Sequence, residues 1–174
     1  MKRLFCKLAF LVFGLSACAQ VPEHRPAVEN PDFDARLTKL LSFSVPVIGV
    51  DELAKKESDV YILDAREPAE YKVSHIPGAR CIGYDNFDET ALQDIPQDAE
   101  IVVYCSVGYR SEKVGEKLKK QGYANVSNLY GSIFEWVNAG HPVENAAGRP
   151  TDSVHTYNRK WSKWVIEGRA QKVY

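Results

Sequence analysis

Ile101-Val102-Val103-Tyr104-Cys105-Ser106-Val107-Gly108-Tyr109-Arg110-Ser111 is a short apolar run that stops on a cysteine, then a tight glycine-containing turn, an arginine, and the start of an amphipathic helix. A cysteine does nucleophilic work only as its thiolate, and a free thiol has a pKa of about 8.5, so activation needs positive potential nearby. This stretch supplies it. Backbone amides of the loop are expected to converge on the sulfur, with the helix N-terminus behind them and Arg110 at the loop's end. Gly108 permits the positive φ that such a turn demands. The same cradle would stabilise a transferred anionic group, an outer sulfur or an oxyanion.

Working outward, Ser111 to Gln121 carries Val114 and Leu118 on one stripe and a run of lysines and glutamates on the other, a solvated face, with Gly122 at its C-cap. Upstream, Val45–Val50, Val60–Leu63 and Arg80–Ile82 read as strands. They alternate with helices at Glu52–Lys56 and Glu67–Val73, the latter with Pro68 in its first turn. Downstream, Val126–Leu129 is one more strand and Gly131–Ala139 one more helix, and a helical turn is expected at Glu89–Leu92. Such alternation predicts an α/β fold, a central parallel sheet with helices on both faces. In these sheets sites lie at the carboxyl ends of strands, where both Asp64 and Cys105 fall.

The 174 residues, 45% hydrophobic and 26% charged, suit one globular domain, and a formal net charge of −1 gives no electrostatic support for nucleic-acid binding. Residues 1–17 read as a signal peptide: Lys2, Arg3 and Lys7 precede the apolar run Leu8–Leu15. Leu15-Ser-Ala-Cys18 resembles the bacterial lipobox, which implies lipidation of Cys18 and anchoring at a membrane facing the periplasm. Ala19, which is not aspartate, favours the outer membrane. Residues 18–41, with Pro22, Pro26 and Pro31, are expected to be a flexible tether, 42–146 the folded domain, and 147–174 a C-terminal extension. Loss of Cys6 and acylation of Cys18 would leave Cys81 and Cys105, which is no disulfide framework.

Five pieces taken together are specific: Asp64-Ala-Arg66, Glu70-Tyr71, His75-Ile-Pro-Gly-Ala79, the Cys105 loop, and Leu129-Tyr-Gly-Ser-Ile-Phe-Glu-Trp136 followed by Gly140-His-Pro-Val143. In this order and spacing they resemble the rhodanese-like domain family over about Val45 to Val143. The resemblance implies a sulfurtransferase that needs no cofactor. Cys105 would carry a sulfane sulfur as a persulfide, taking it from a small donor and passing it to a thiol, cyanide or protein acceptor. Ser106, Val107, Gly108, Tyr109 and Ser111 would form the cradle, and Arg110 would complete an anion-binding ring. Asp64 would support the active loop from the neighbouring strand, Arg66 would pair with Glu70, and His75 would take a hydrogen-bonding role. Phosphatases and arsenate reductases built on this fold have five residues between cysteine and arginine. Here there are four, Ser106 to Tyr109, which favours sulfur over phosphate. The non-enzymatic alternative is a tethered sulfur or redox sensor or binding module, with Cys81 as a possible resolving thiol.

No metal constellation emerges, since two cysteines cannot make a thiolate zinc site and no His-Glu-x-x-His is present. In the C-terminal extension Tyr157, Trp161, Trp164 and Val165 fall at i, i+4, i+7 and i+8, a helical stripe. Packing against the domain is the expected role. A membrane-surface helix and a partner-binding helix are the alternatives.

Overall fold

The computed structural model describes residues 21–56 and 60–174; the signal-peptide and lipidation readings, Cys18 included, lie outside them. In chain order the elements are α1 (Pro31–Leu40), β1 (Val47–Ile48), α2 (Val50–Lys56), β2 (Tyr61–Asp64), α3 (Pro68–Val73) and β3 (Arg80–Cys81). After a 3₁₀ turn at Glu89–Leu92 come β4 (Glu100–Tyr104), α4 (Tyr109–Lys120), β5 (Asn125–Leu129) and α5 (Ser132–Asn138). The C-terminal part adds β6 (Val143–Glu144), β7 (Pro150–Thr151), β8 (Ser153–His155), α6 (Arg159–Ser162) and β9 (Gln171–Val173).

The five-stranded sheet has the order β1-β5-β4-β2-β3 and every pairing in it is parallel. Alternation along the strands sorts the core into two layers. Ile62, Val102, Tyr104 and Leu129 point to one side, where Leu37 of α1, Leu53 of α2 and Ile133 and Phe134 of α5 meet them. Leu63, Ile101, Val103 and Val126 point to the other, against Val114 and Leu118 of α4. Both faces of the sheet are therefore covered, as parallel strands with near-continuous apolar sequence require. β4 is the middle strand of the five, so the loop that leaves it at Cys105 starts from the most buried position the sheet offers.

Two expectations are corrected. The supposed tether is not flexible to its end: Asn30 caps α1 by accepting from the amides of Asp32 and Phe33, Pro31 begins it, and Phe33 and Leu37 are fully buried. The prolines that suggest an open linker include one at a helix start, where its missing N–H costs nothing. The C-terminal extension is not one helix either. Its helical content is a single short turn, α6, and Tyr157 has φ 63°, which no helix tolerates. The rest is short strands joined by turns, β7 against β6 and β8 against β9. The apolar residues still pack: Val165 is buried, and Trp161 and Trp164 lie against the larger core layer.

Candidate active site

β4 carries Tyr104 to its C-terminal end, and Cys105 follows at 1% exposure. The loop is turned so that its carbonyls face away from the sulfur. The carbonyl oxygens of Cys105 and Ser106 accept from the amides of Ile133 and Phe134, two of the otherwise unpaired N–H groups of α5. The Cys105 amide donates to the Ser132 hydroxyl at 3.1 Å. That leaves the concave side to donors, and the Gly108 amide lies 3.2 Å from Cys105 Sγ. Gly108 has φ 116° and is the N-cap of α4. Asn128 of β5 clamps this turn: its Nδ2 donates to the Gly108 carbonyl at 3.0 Å, and its Oδ1 accepts from the Ser111 hydroxyl at 2.7 Å.

Burial alone would push the Cys105 thiol up. The Arg110 guanidinium and the Ser111 and Gly108 amides outweigh it, and the net shift is downward. The site thus favours the thiolate.

Arg110 is held from below by Glu70. Its Nη1 donates to Glu70 Oε2 at 2.7 Å and its Nη2 to Oε1 at 2.8 Å and to Ser106 Oγ at 3.1 Å. Glu70 sits on α3, whose capping box fixes it: its carboxylate accepts from the Glu67 amide while the Glu67 side chain reaches back to the Glu70 amide. Burial raises Glu70, but the hydrogen bonds and charge of Arg110 bring it below the ordinary carboxylate value.

The expected Arg66–Glu70 pair does not form. Arg66 turns back on Asp64 instead, with Nε 2.9 Å from Oδ1 and Nη2 2.6 Å from Oδ2, and Nη2 also donates to the Ser74 carbonyl at 2.6 Å. Arg66 precedes α3, so it lacks the helical register that brings residues four apart together. Both side chains of this pair have no solvent exposure. Asp64 faces Tyr104 across the β2–β4 ladder, and the Ala65 amide donates to the Tyr104 carbonyl at 2.8 Å, so the pair lies directly beside the strand end that launches the loop.

His75 is away from the sulfur's cavity. Its Nδ1 is 3.0 Å from the Tyr71 carbonyl, its ring stacks on Tyr71 at 3.7 Å between centroids, and its Nε2 lies 3.3 Å from Glu144. Cys81 is also outside it, half-buried, with burial and then Asp64 raising its thiol. Among the described residues no cluster of His, Cys, Asp or Glu is arranged to hold a metal, and no helix is long and apolar enough to cross a membrane.

A cavity of about 320 Å³ opens above Cys105, and Ser106, Val107, Tyr109 and Arg110 line it from the loop. The opposite wall comes from Glu67, Tyr84 and Asp85, and a third side from Tyr157 and Trp161 of the C-terminal extension. The sequence assigns no site role to Asn128, Ser132 or these two aromatics, and it pairs Glu70 with Arg66 where the structure pairs it with Arg110. For the aromatics the only signal is their helical spacing, which points to packing.

Residues 50–139, a little over half of the chain, match the family described as "Rhodanese-like domain". The chain is 36% identical over 85 residues to a protein of Allochromatium vinosum named "Sulfurtransferase", an overlap of 49% of this chain and 78% of that one. It is 31% identical over 100 residues to the "Thiosulfate:glutathione sulfurtransferase" of Saccharomyces cerevisiae, covering 51% and 72%. Against a "Putative sulfur carrier protein" of Bacillus subtilis, at 32% identity, it spans about half of the relative's length. Among solved structures, a "Rhodanese-like Domain Protein" from Staphylococcus aureus superposes with TM-score 0.50 at 29% identity, covering 57% of this chain and 97% of the other.

Proposed function

Because the chain belongs to the rhodanese-like domain family, we propose that it is a sulfurtransferase that moves a sulfane sulfur from a donor to a thiophilic acceptor through a persulfide on Cys105. The observation that carries this reading is the cradle itself: a buried sulfur with an amide 3.2 Å away and a guanidinium whose charge draws its thiol downward. Relatives named for sulfur transfer support it.

In the loading step the Cys105 thiolate attacks the outer sulfur of the donor. A new S–S bond forms to Sγ, the donor's own bond to that sulfur breaks, and the bonding pair leaves with the remainder, as sulfite when the donor is thiosulfate. In discharge a thiolate or cyanide attacks the outer sulfur of the persulfide and the electron pair returns to Cys105. Each step conserves charge and needs no proton at the reacting atoms. The loop amides and Arg110 serve both halves, since the negative charge moves from Sγ to the outer sulfur and back. Ser106 positions Arg110 through its hydroxyl, and Asp64 with Arg66 holds the strand end beneath. The four-residue spacer Ser106 to Tyr109 favours this sulfur chemistry over phosphate ester hydrolysis.

Incubating the protein with thiosulfate should add the mass of one sulfur at Cys105, and cyanide should then release thiocyanate over many turnovers. Cys105→Ser should do neither. Absence of loading from every sulfane donor tried, or efficient hydrolysis of a phosphate ester, would sink the assignment. Loading followed by a single discharge would instead favour a sensor or carrier.

We propose separately that the protein sits at a bacterial membrane, lipidated on Cys18 after removal of residues 1–17 and facing the periplasm, with the outer membrane favoured by Ala19. The support is the apolar run and Leu15-Ser-Ala-Cys18 in the sequence. Intact mass of the protein from cells should show a diacylated or triacylated Cys18 terminus. An unlipidated terminus at another residue would overturn it.

A further inference from the structure

The wall that the C-terminal extension adds to the cavity has no counterpart in the machinery described above. Tyr157 is 55% exposed, and it is held over the loop: its ring centroid lies 5.4 Å from the Arg110 guanidinium carbon. It keeps a left-handed backbone, φ 63°, a conformation that disfavours an aromatic residue, and its amide donates to His155 Nδ1 at 3.2 Å. Trp161 stands beside it on α6, and Tyr84 and Tyr109 complete an aromatic collar at the mouth. All of this lies over a reacting atom that is itself almost without exposure.

Charge points the same way. Arg110 is the single cation among the lining residues, and both of its terminal nitrogens are taken up by Glu70. Glu67 and Asp85 stand on the opposite wall, so with Glu70 neutralising Arg110 from below, two carboxylates face the mouth with no further lining cation to offset them. His155, 3.8 Å from Glu70, adds no lasting positive charge at neutral pH, because burial lowers its pKa. A dianion therefore meets carboxylate repulsion at the mouth before it reaches the loop amides, and a flat apolar group meets ring faces.

On the footing of the sulfurtransferase reading, we propose that Tyr157 and Trp161 are specificity residues that make this site prefer a monoanionic sulfane donor with an apolar, ring-bearing substituent over the inorganic dianion. For an aryl thiosulfonate the balance is simple. The Cys105 thiolate takes the outer sulfur, the bond between that sulfur and the sulfonyl sulfur breaks, and the pair leaves on an aryl sulfinate. One anion enters and one leaves, and the persulfide keeps the charge of the thiolate.

The test uses the full chain with three donors, benzenethiosulfonate, methanethiosulfonate and thiosulfate, and reads both loading of Cys105 by mass and thiocyanate release. The first two donors share charge and reacting group and differ only in the ring. Tyr157→Ala should lower kcat/KM for the aryl donor about tenfold relative to the methyl donor, with Tyr157→Phe restoring it. Trp161→Leu should act in the same direction, and Asp85→Asn should raise thiosulfate relative to both thiosulfonates. Equal losses for the aryl and methyl donors in the Tyr157 variant would overturn the proposal. So would a ring dependence confined to discharge onto aryl thiols. Failure of all three donors to load Cys105 would overturn the sulfurtransferase reading first and this one with it.

Discussion

Two arginine–carboxylate pairs lie within one short stretch of this structure and do opposite work. Asp64 and Arg66 are two residues apart in sequence, wholly buried, and closed on themselves and on the Ser74 carbonyl. Glu70 and Arg110 join residues 40 apart, keep the guanidinium side chain 15% exposed, and reach the cavity through Ser106. The first pair has no path to a substrate, and its charges serve the junction between β2, α3 and β4. The second leaves its cation close enough to pull Cys105 downward while Glu70 prevents it from swinging away. A buried ion pair is thus a structural or a chemical device according to whether one partner keeps an opening to the site.

The contrast is sharpest in what each pair should lose when broken. Asp64→Asn leaves a buried guanidinium without its counter-charge and should cost about 3–5 kcal/mol in denaturant unfolding. Surviving folded protein should load Cys105 at a near-normal rate. Arg110→Gln should do the reverse, keeping most stability but lowering sulfur loading at neutral pH about 100-fold, as loss of one preorganised anion contact does. Because the thiolate is the reactive form in the proposed step, loading should rise with pH, and without Arg110 that rising limb should move to higher pH. An unmoved limb would mean the amides alone set the thiol.

Glu70→Gln falls between them, at about 2 kcal/mol, since the pair is partly open and its capping hydrogen bond survives. The sign of its pH dependence is fixed: the folded-state pKa is depressed, so Glu70 contributes stability above its unfolded value and loses it as pH falls through the folded value. Wild-type protein should therefore lose stability on acidification more steeply than the Gln variant. Tyr104→Phe gives the smallest effect. Its hydroxyl accepts from the Ile76 amide at 3.1 Å, and removing it should cost about 1 kcal/mol by thermal melt without touching the loading rate.

How much of this could be read beforehand depended on the range of the interaction. The strand ending on Cys105, the positive φ of Gly108 and the alternation behind the parallel sheet are all local, and the sequence carried them. The 3₁₀ turn at Glu89–Leu92 followed the same rule. The partner of Glu70 did not, because Arg66 is four residues away and looks like a helix neighbour, whereas Arg110 becomes one only when β2 and β4 pair. Helix α1 is legible by the same rule, although the prolines around it suggest a tether: Asn30, Pro31, Phe33 and Leu37 form a cap, a first turn and an apolar i, i+4 step. The extension failed for the opposite reason. Its spacing fits a helix, but the left-handed Tyr157 and the Asn158 cap break the chain into a turn, and the tryptophans bury against the core from α6 and the segment after it.

Phe33 of α1 stacks on Trp164 with ring centroids 5.3 Å apart, joining segments on either side of the family-matched region. β1 is added to the sheet edge by a comparably distant pairing, its Ile48 opposite Leu129. Contacts of such separation form late, since closing the loops between them consumes chain entropy before any burial is gained. A chain extending from its N-terminus must carry Phe33 without its stacking partner until residue 164 has been made. The interval in which the fold is complete around Cys105 but open at this seam is when a truncated or stalled chain is most exposed to aggregation.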